Sequence, residues 1–292
     1  MTKQIYCISN EQYFKDNLAK LDTKVVFIEN KNQLGLMDNE NEKIIIYDPD
    51  FAGWEFPNVI LEYKNIKGIC LGTTTKSYID EKLCKKLNIP VLNIPKYSTN
   101  SVAEYMFMLM FAIAKKLPLQ IKNNFKQDFE EKYTQIQLTN KNVGIIGLGN
   151  IGKRFADMCK GIGMQVSYWN RNIKDCDYSY KDIQAIFKES DVILVALQTN
   201  EETKNIIKDN MLLSMKSNAI LLSVAGGNLF NHNLVLKMVQ NNDLFGYGLE
   251  VENKGVFDYV GNVMATSEYG WFTKESQEMR LKMWLKNVKS LL

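Results

Sequence analysis

The stretch that most constrains the fold is residues 142–155, NVGIIGLGNIGKRF, in which a short apolar run leads into three closely spaced glycines. Residues 143–146 have the composition of a buried strand, and Gly147, Gly149 and Gly152 follow in the order G-x-G-x-x-G. Gly147 would form the tight turn, Gly149 would let the backbone approach a pyrophosphate, and Gly152 would let the next helix pack closely on the strand. A glycine turn without a ligand is the alternative. Because strand, loop, helix and following strand are all present, the pattern favours dinucleotide binding.

Short apolar runs alternate with helical periodicity along the rest of the chain, which predicts parallel sheets covered by helices on both faces. The 292 residues are too many for one small core and suit two domains. A long helix is predicted to run from the polar residues 97–101 to Lys116, where Pro118 would stop it. Other helices are predicted at 11–20, 77–87 and 273–292, and strands at 5–8, 24–28, 43–47, 67–71, 143–146, 165–169, 191–197, 218–224, 244–249 and 262–265.

Composition excludes several classes of function. The formal net charge is +3 with lysines and glutamates interspersed, so no basic stripe indicates a nucleic-acid partner. The most apolar helix candidate, residues 105–114, is too short to span a bilayer, and the N-terminus has no signal-peptide pattern. Five cysteines without a C-x-x-C pair are typical of a reduced protein. We therefore expect a cytoplasmic protein with no membrane partner and no metal site.

The end of the second strand of the nucleotide-binding unit indicates which dinucleotide is held. An acidic residue there would accept a hydrogen bond from the ribose 2′-hydroxyl of NAD, whereas this chain has Asn170 followed by Arg171. A neutral amide beside a guanidinium suits the doubly charged 2′-phosphate of NADP. We predict NADP, with NAD less favoured; the alternative for Arg171 is a solvated surface charge.

Five stretches form an ordered series that is more specific than any one motif: NIPKYSTNSVAE (93–104), NVGIIGLGNIGKRFADMCKGIGMQV (142–166), DVILVALQTNEETKNII (191–207), MKSNAILLSVAGGNL (215–229) and YGLEVE (247–252). Together they resemble the D-2-hydroxyacid dehydrogenase family. The resemblance implies the α/β class with two doubly wound parallel-sheet domains. A flavodoxin-like, substrate-type domain would comprise 1–99 plus 273–292, and a Rossmann NAD(P)-binding domain would comprise 100–272. It also implies a homodimer and hydride transfer to a small oxo- or hydroxy-acid-like substrate.

The resemblance further assigns residues to the cofactor and the substrate. The loop Leu71, Gly72, Thr73, Thr74 and Thr75 would bind a substrate carboxylate through backbone amides, with threonines standing where glycines are usual in the family. Glu250 takes the place of the family's aspartate near the nicotinamide amide. The further cofactor residues that the resemblance implies are Asn150, Ile151, Gln198, Thr203, Val224, Ala225 and Gly226.

The family's catalytic residues are missing at the matching positions. The arginine that clamps the substrate follows an alanine in N-x-A-R-G, where this chain has SVAGG and therefore Gly226. The histidine of T-P-H is replaced by Glu268. The one histidine of the chain, His232, is more typical of a helix N-terminus than of a relocated acid.

Two replacements for that chemistry are conceivable. Glu268 could donate the proton if Glu250 and Glu252 raise its pKa by like-charge repulsion. Lys96 or Lys254 could bind an anion, although lysines are common in this chain and are usually solvated.

Two functions therefore remain open. The first is an NADP(H)-binding oxidoreductase of this family, with a departed catalytic site, that acts on a small oxo- or hydroxy-acid-like molecule. The second is a catalytically silent protein that senses NADP(H) or binds a protein partner.

Overall fold

Every strand of the described residues pairs in parallel with its neighbours, and the strands form two separate sheets. The computed structural model describes residues 2–224, 228–251 and 259–292. The first compact unit comprises the chain up to Tyr97 together with Thr273–Leu292, and the second is Ser98–Phe272. They contain a sheet of five and a sheet of seven strands respectively. The predicted fold class, two doubly wound parallel-sheet α/β domains, is confirmed.

Strands and helices alternate along both units, because a parallel neighbour can be reached only through a long crossover connection. No helix in the described ranges combines the length and apolar character that a membrane span needs. The strands are β1 (Lys3–Ile8), β2 (Lys24–Phe27), β3 (Glu42–Tyr47), β4 (Ile66–Leu71), β5 (Val91–Leu92), β6 (Asn142–Ile146), β7 (Gln165–Trp169), β8 (Ser179–Tyr180), β9 (Val192–Val195), β10 (Ile220–Ser223), β11 (Gly246–Val251) and β12 (Val263–Ser267). The helices are α1 (Gln12–Leu18), α2 (Pro49–Ala52), α3 (Glu81–Lys86), α4 (Thr99–Ala114), α5 (Leu117–Lys122), α6 (Asn150–Gly161), α7 (Ile183–Glu189), α8 (Asp209–Leu213), α9 (His232–Gln240) and α10 (Lys274–Leu291).

The sheet of the first unit has the strand order β2-β1-β3-β4-β5. Its central strands are continuous apolar runs, as expected where helices cover both faces; Ile5 of β1 pairs with Ile44 of β3, and both side chains are fully buried. Helix α10 returns to this unit and packs along β4. A Cβ atom at Gly68 would lie 2.6 Å from the Leu291 side chain, so the glycine permits this close approach of helix to strand.

The sheet of the second unit has the strand order β12-β11-β10-β9-β6-β7-β8. After β6 the chain adds β7 and β8 on one side, and then crosses to β9 and continues on the other side. The carboxyl end of β6 is therefore a topological switch point, where doubly wound sheets bind their ligands. Buried residues of α4 and α6, among them Met106, Leu109 and Phe155, cover one face of the sheet, and Ile186 and Val235 belong to the core on the other.

The prediction that Pro118 ends the long helix is wrong in one respect. Helix α4 ends at Ala114, and Lys116 then takes a left-handed conformation with φ 52°. Pro118 lies in the first turn of the next helix, α5, where its missing N–H leaves no hydrogen bond unmade. The proline thus lies at the start of a new helix, after a tight turn at Lys116.

A buried arginine ties α10 to the carboxyl ends of the strands in the first unit. The side chain of Arg280 is 3% exposed, and its guanidinium donates to Glu11 at 2.8 Å and to Asp48 at 3.2 Å. Its Nε donates to the carbonyl of Gly72, directly after β4, at 3.0 Å. Burial raises the pKa of Asp48, while Arg280 and the Ser9 hydroxyl act to lower it. The buried carboxylate therefore depends on Arg280 for compensation.

We expect Arg280→Leu to destabilise the first unit by about 3–5 kcal/mol, because removing one partner leaves a buried carboxylate uncompensated. Urea unfolding followed by circular dichroism measures the change. Lys282→Leu is the matched control, since it removes a charge from an exposed position of the same helix. A loss for Arg280→Leu no larger than that of the control would contradict this account of the buried pair.

Candidate functional site

Packing within the protein explains two of the three glycines that follow β6. Gly147 has φ +98°, a conformation that favours glycine, and a Cβ there would lie 2.8 Å from the carbonyl oxygen of Ala196. A Cβ at Gly152 would lie 2.2 Å from the carbonyl oxygen of Gly147. These two glycines let the loop turn tightly and let α6 approach the strand closely.

The remaining glycine of the motif, Gly149, is not explained by any contact within the described protein. A Cβ atom at Gly149 would meet no heavy atom within 4 Å, and its φ of −81° is accessible to any residue. Gly149 is the N-cap of α6, and Asn150 and Ile151 form the first turn, where backbone N–H groups lack partners within the helix. The open space at Gly149 therefore lies where a pyrophosphate would approach the helix N-terminus, and the loop fits a dinucleotide.

The residues predicted to select the dinucleotide follow the end of β7. The Asn170 amide donates to the carbonyl of Asn172 at 3.0 Å. The Arg171 guanidinium forms an ion pair of 2.7 Å with Glu202, and both side chains are exposed. Sequence reasoning missed Glu202, because it lies on the loop after β9 and no local pattern connects it with Arg171.

The loop after β9 is held by its own hydrogen bonds. Thr203 is buried, and its hydroxyl donates to the carbonyl of Gln198 at 2.7 Å. The side-chain oxygen of Asn200 accepts from the N–H groups of Glu202 at 2.9 Å and Thr203 at 3.1 Å. Thr203 thus fixes the shape of the loop. The side chain of Gln198, the other predicted cofactor residue on this loop, is exposed.

The next strand leads toward the predicted arginine position. The N–H of Val224 donates to the carbonyl of Val195 at 3.1 Å, which extends the pairing of β10 with β9 by one residue. Ala225 and Gly226 lie outside the described residues, as do Glu252 and Lys254. The assignment of Gly226 to the family's arginine position thus remains a sequence prediction.

Glu250 is a buried carboxylate near the carboxyl end of β11. Only 6% of the residue is exposed, and its Oε1 accepts from the N–H of Gly270 at 2.6 Å. A Cβ on Gly270 would lie 3.0 Å from the Glu250 carboxylate, so glycine leaves room for this contact. The Ser101 hydroxyl, in the first turn of α4, donates to the carbonyl of Gly270. Glu250 thus joins β11 to the segment that follows β12.

Burial raises the pKa of Glu250 to about 7. The N–H groups of Gly270 and Tyr269 act in the opposite direction, and the negative charge of Glu268 raises the pKa further. Glu268 itself is exposed and directly follows β12, so the structure brings the two carboxylates to one edge of the sheet. The sequence suggested a raised pKa at Glu268, whereas the structure provides a physical reason for a raised pKa at Glu250.

The predicted substrate loop belongs to the first unit. A Cβ at Gly72 would lie 2.5 Å from the Trp284 ring, which packs against the loop from α10. The buried Thr73 hydroxyl donates to the carbonyl of Thr75 and contacts the Tyr78 hydroxyl, at 2.8 Å and 2.7 Å. The loop runs from Leu71 to Thr75, and the Thr74 hydroxyl also donates within this unit, to the carbonyl of Ile94 at 3.2 Å. The threonines therefore bond to the loop and its surroundings.

Two further residues singled out in the sequence are Lys96 and His232. Lys96 is exposed in the first unit and takes a left-handed φ of 69°. His232 is the first residue of α9, its Nδ1 lies 2.6 Å from the Tyr247 hydroxyl, and its ring stacks on Phe230. These contacts fix the half-buried His232 ring against the core of the second unit. In the described ranges no three His, Cys, Asp or Glu side chains are grouped as metal ligands.

Comparison with known proteins gives one family. Residues 107–258 match the family model described as D-isomer specific 2-hydroxyacid dehydrogenase, NAD binding domain. The chain is 27% identical over 229 residues to a glyoxylate reductase of Pyrococcus furiosus, covering 72% of this chain and 68% of that protein. It is 29% identical over 231 residues to a hydroxypyruvate reductase of Thermotoga maritima, covering 75% and 76% of the two chains.

Solved structures of other proteins share the fold of this chain. An acyclic imino acid reductase in complex with NADPH and D-Arg superimposes with a TM-score of 0.81 at 23% identity. The superposition covers 98% of this chain and 96% of the other. At this identity the likeness establishes the shared fold.

We expect Glu250→Gln to remove a pH dependence of stability. The folded chain holds the Glu250 proton up to about pH 7, whereas an ordinary glutamate loses it near 4.5. Because the unfolded chain then binds fewer protons, wild-type stability should fall as pH rises between these values, and change little from this group outside them. The fall relative to Glu250→Gln should be about 2–4 kcal/mol, measured by urea unfolding across that range. Glu201→Gln controls for loss of a surface charge; identical pH profiles of wild type and Glu250→Gln would contradict the prediction.

Proposed function

The chain belongs to the family of D-isomer specific 2-hydroxyacid dehydrogenases, and we propose from this that it is an NADP(H)-dependent oxidoreductase with an altered catalytic site. Its substrate would be a small oxo- or hydroxy-acid-like molecule. The single observation that carries the proposal is Gly149, which sits at the N-terminus of α6 with open space where a Cβ would lie. Gly149 is also the middle glycine of G-x-G-x-x-G and the N-cap of α6, so a ligand that approaches the backbone at this helix N-terminus accounts for it.

The second unit supplies the residues that would hold the cofactor. The N–H groups at Asn150 and Ile151 would bind the pyrophosphate, because the helix N-terminus favours negative charge. The loop carrying Gln198 and Thr203 lies beyond the neighbouring strand β9, and Val224 begins the loop after β10. When bound, the nicotinamide would supply or accept the hydride.

The preference for NADP(H) rests on the end of β7. No carboxylate occupies the position of Asn170, and Arg171 offers a planar, permanently charged donor for a 2′-phosphate. The guanidinium is exposed and already pairs with an anion, the Glu202 carboxylate. Binding of NADP(H) would therefore exchange this carboxylate for the 2′-phosphate on Arg171.

Glu250 and Glu268 would handle the proton that accompanies hydride transfer. With a pKa of about 7, Glu250 holds a proton in a substantial fraction of molecules near neutral pH, as a general acid requires. Glu268 is exposed at the same edge and would connect the buried carboxyl with the solvent. This pair would replace the family's histidine, whereas Gly226 offers no side chain in place of its arginine.

The first unit would contribute to substrate binding through the loop from Leu71 to Thr75. Its threonine hydroxyls bond within the unit, and Arg280 and Trp284 hold its start from α10. The loop is thus firmly supported, and its backbone amides would receive a substrate carboxylate. Lys96 is an exposed cation that could assist with the anion.

A homodimer is the assembly that we propose. The segment after α4 exposes apolar side chains: Ile121, Phe125 and Phe129 are 46%, 66% and 89% exposed. Exposed aromatic side chains so close in sequence are costly unless an interface covers them. A second copy of this chain is the occupant that the family resemblance implies.

A catalytically silent NADP(H) sensor or partner-binding protein is the second candidate. The sequence favours it at one point, because Gly226 cannot clamp a carboxylate. Both candidates require the nucleotide site, and they differ in whether hydride reaches a substrate.

We expect wild type to bind NADPH about tenfold more tightly than NADH, and Arg171→Ala to remove most of this difference, because a charged hydrogen bond is lost. Isothermal titration calorimetry with each nucleotide measures both affinities. Arg154→Ala, on helix α6 before β7, is the control for loss of an arginine. Equal affinities of wild type for the two nucleotides would contradict the cofactor preference, and absence of binding would overturn the proposed function.

Gly149→Ala should fold normally and bind NADPH at least about tenfold more weakly, since the methyl group would occupy the space that the pyrophosphate needs. Gly161→Ala is a matched control, because a Cβ there also meets no atom within 4 Å and it lies at the other end of α6. Thermal unfolding would show that both variants fold. Unchanged NADPH affinity of Gly149→Ala would contradict the placement of the pyrophosphate.

A further inference from the structure

Two loops flank the glycine loop at the carboxyl edge of the second sheet. In the strand order β9-β6-β7, the strand that carries the glycine loop lies between the other two. Neighbouring strands are about 4.8 Å apart, so the ends of β7 and β9 are separated by roughly 10 Å. Arg171 follows β7, and Glu202 lies on the loop that follows β9.

The Arg171–Glu202 ion pair spans this separation. The nearest guanidinium nitrogen and carboxylate oxygen are 2.7 Å apart, and the side chains are 62% and 69% exposed. The pair therefore passes across the carboxyl edge of β6, from one flanking loop to the other. Because water screens an exposed pair, it contributes little to folding and can be exchanged readily.

The backbone that carries Glu202 is well ordered by local bonds. Asn200 accepts from the N–H of Glu202, and the buried Thr203 hydroxyl donates to the carbonyl of Gln198. The backbone of Glu202 is thus held in place, while its exposed side chain keeps rotameric freedom. It is the group that the structure pairs with the guanidinium proposed to read the cofactor.

We propose that Glu202 is a specificity-determining residue that competes with the 2′-phosphate of NADP(H) for Arg171. The inference rests on the proposed function, in which Arg171 receives that phosphate. A carboxylate and a phosphate are alternative partners of one guanidinium fork, so binding of the phosphate displaces Glu202 and leaves two negative groups close together. With NADH there is no phosphate, and the Glu202 carboxylate can accept a hydrogen bond from a ribose hydroxyl. Glu202, on the loop after β9, thus supplies the acidic group that is missing at Asn170. It thereby reduces the difference in binding affinity between NADPH and NADH.

Glu202→Gln tests this competition without any assay of turnover. We expect it to tighten NADPH binding about two- to fivefold and to leave NADH unchanged or weaker. Glu201→Gln is the matched control, since it removes the same formal charge from the adjacent exposed position. Raised ionic strength should reduce the NADPH effect of both variants, so the two are compared at low salt.

The double variant Arg171→Ala/Glu202→Gln separates direct competition from a general field effect. Once Arg171 is absent, Glu202→Gln should change NADPH affinity no more than Glu201→Gln does. Equal effects of Glu202→Gln and Glu201→Gln, or weaker NADPH binding by Glu202→Gln, would overturn the inference.

These outcomes are distinct from failure of the proposed function. Wild type that binds NADPH more tightly than NADH, with equal effects of the two glutamine variants, overturns the role of Glu202 alone. Wild type that binds neither nucleotide overturns both proposals.

Discussion

The close approach of α6 to β6 is the contact on which the second unit depends. A Cβ at Gly152 would lie 2.2 Å from the carbonyl oxygen of Gly147, a distance that atoms do not reach, so any larger residue would push the helix away. This contact aims the N-terminus of α6 at the carboxyl end of β6, where the sheet reverses its direction of growth. Everything proposed for the cofactor follows from that placement: the open space at Gly149, and the flanking loops that carry Arg171 and Glu202.

The first unit is organised around a different constraint, the return of the last helix. Arg280 carries a charge into the interior and satisfies it with Asp48, Glu11 and the carbonyl of Gly72. Trp284 donates from its ring N–H to the carbonyl of Cys70 at 2.9 Å, one turn further along α10. A chain segment from the C-terminus thus supports the loop after β4, although some 200 residues separate them, so truncation of α10 would remove the support of that loop.

Much of this fold could be predicted from the sequence because its signals are local. Alternating apolar runs and the spacing of Gly147, Gly149 and Gly152 gave the α/β class and the position of the glycine loop correctly. Helix starts were harder: α3 begins at Glu81, later than predicted, because the Asp80 side chain accepts from the N–H of Leu83 and fixes the first turn there. A capping residue fixes the first turn through a hydrogen bond, and the spacing of apolar residues does not indicate where that bond forms.

The candidate site was less predictable, because its contacts join residues far apart in the chain. The pairing of Arg171 with Glu202 depends on two loops meeting across β6, and the pKa of Glu250 depends on burial beside a segment after β12. The sequence instead directed attention to Glu268, which the family resemblance assigns to the position of a catalytic histidine. Gly226 lies outside the described residues, so its role rests on the sequence motif SVAGG.

The central claim is that the nucleotide site performs hydride chemistry. Transfer of deuterium from NADPH labelled at C4 of its nicotinamide tests this claim most directly. The protein would be incubated with glyoxylate, pyruvate or hydroxypyruvate, each with and without ammonia so that the corresponding imines are offered, and products would be analysed by mass spectrometry. The account predicts deuterium in at least one product, at below about 1 s⁻¹ because it assigns Gly226 to the position of the family's arginine. It also predicts that the rate falls as pH rises through about 7 and that Glu250→Gln lowers it. Tight NADPH binding with no deuterium in any product would contradict the claim and favour the silent sensor.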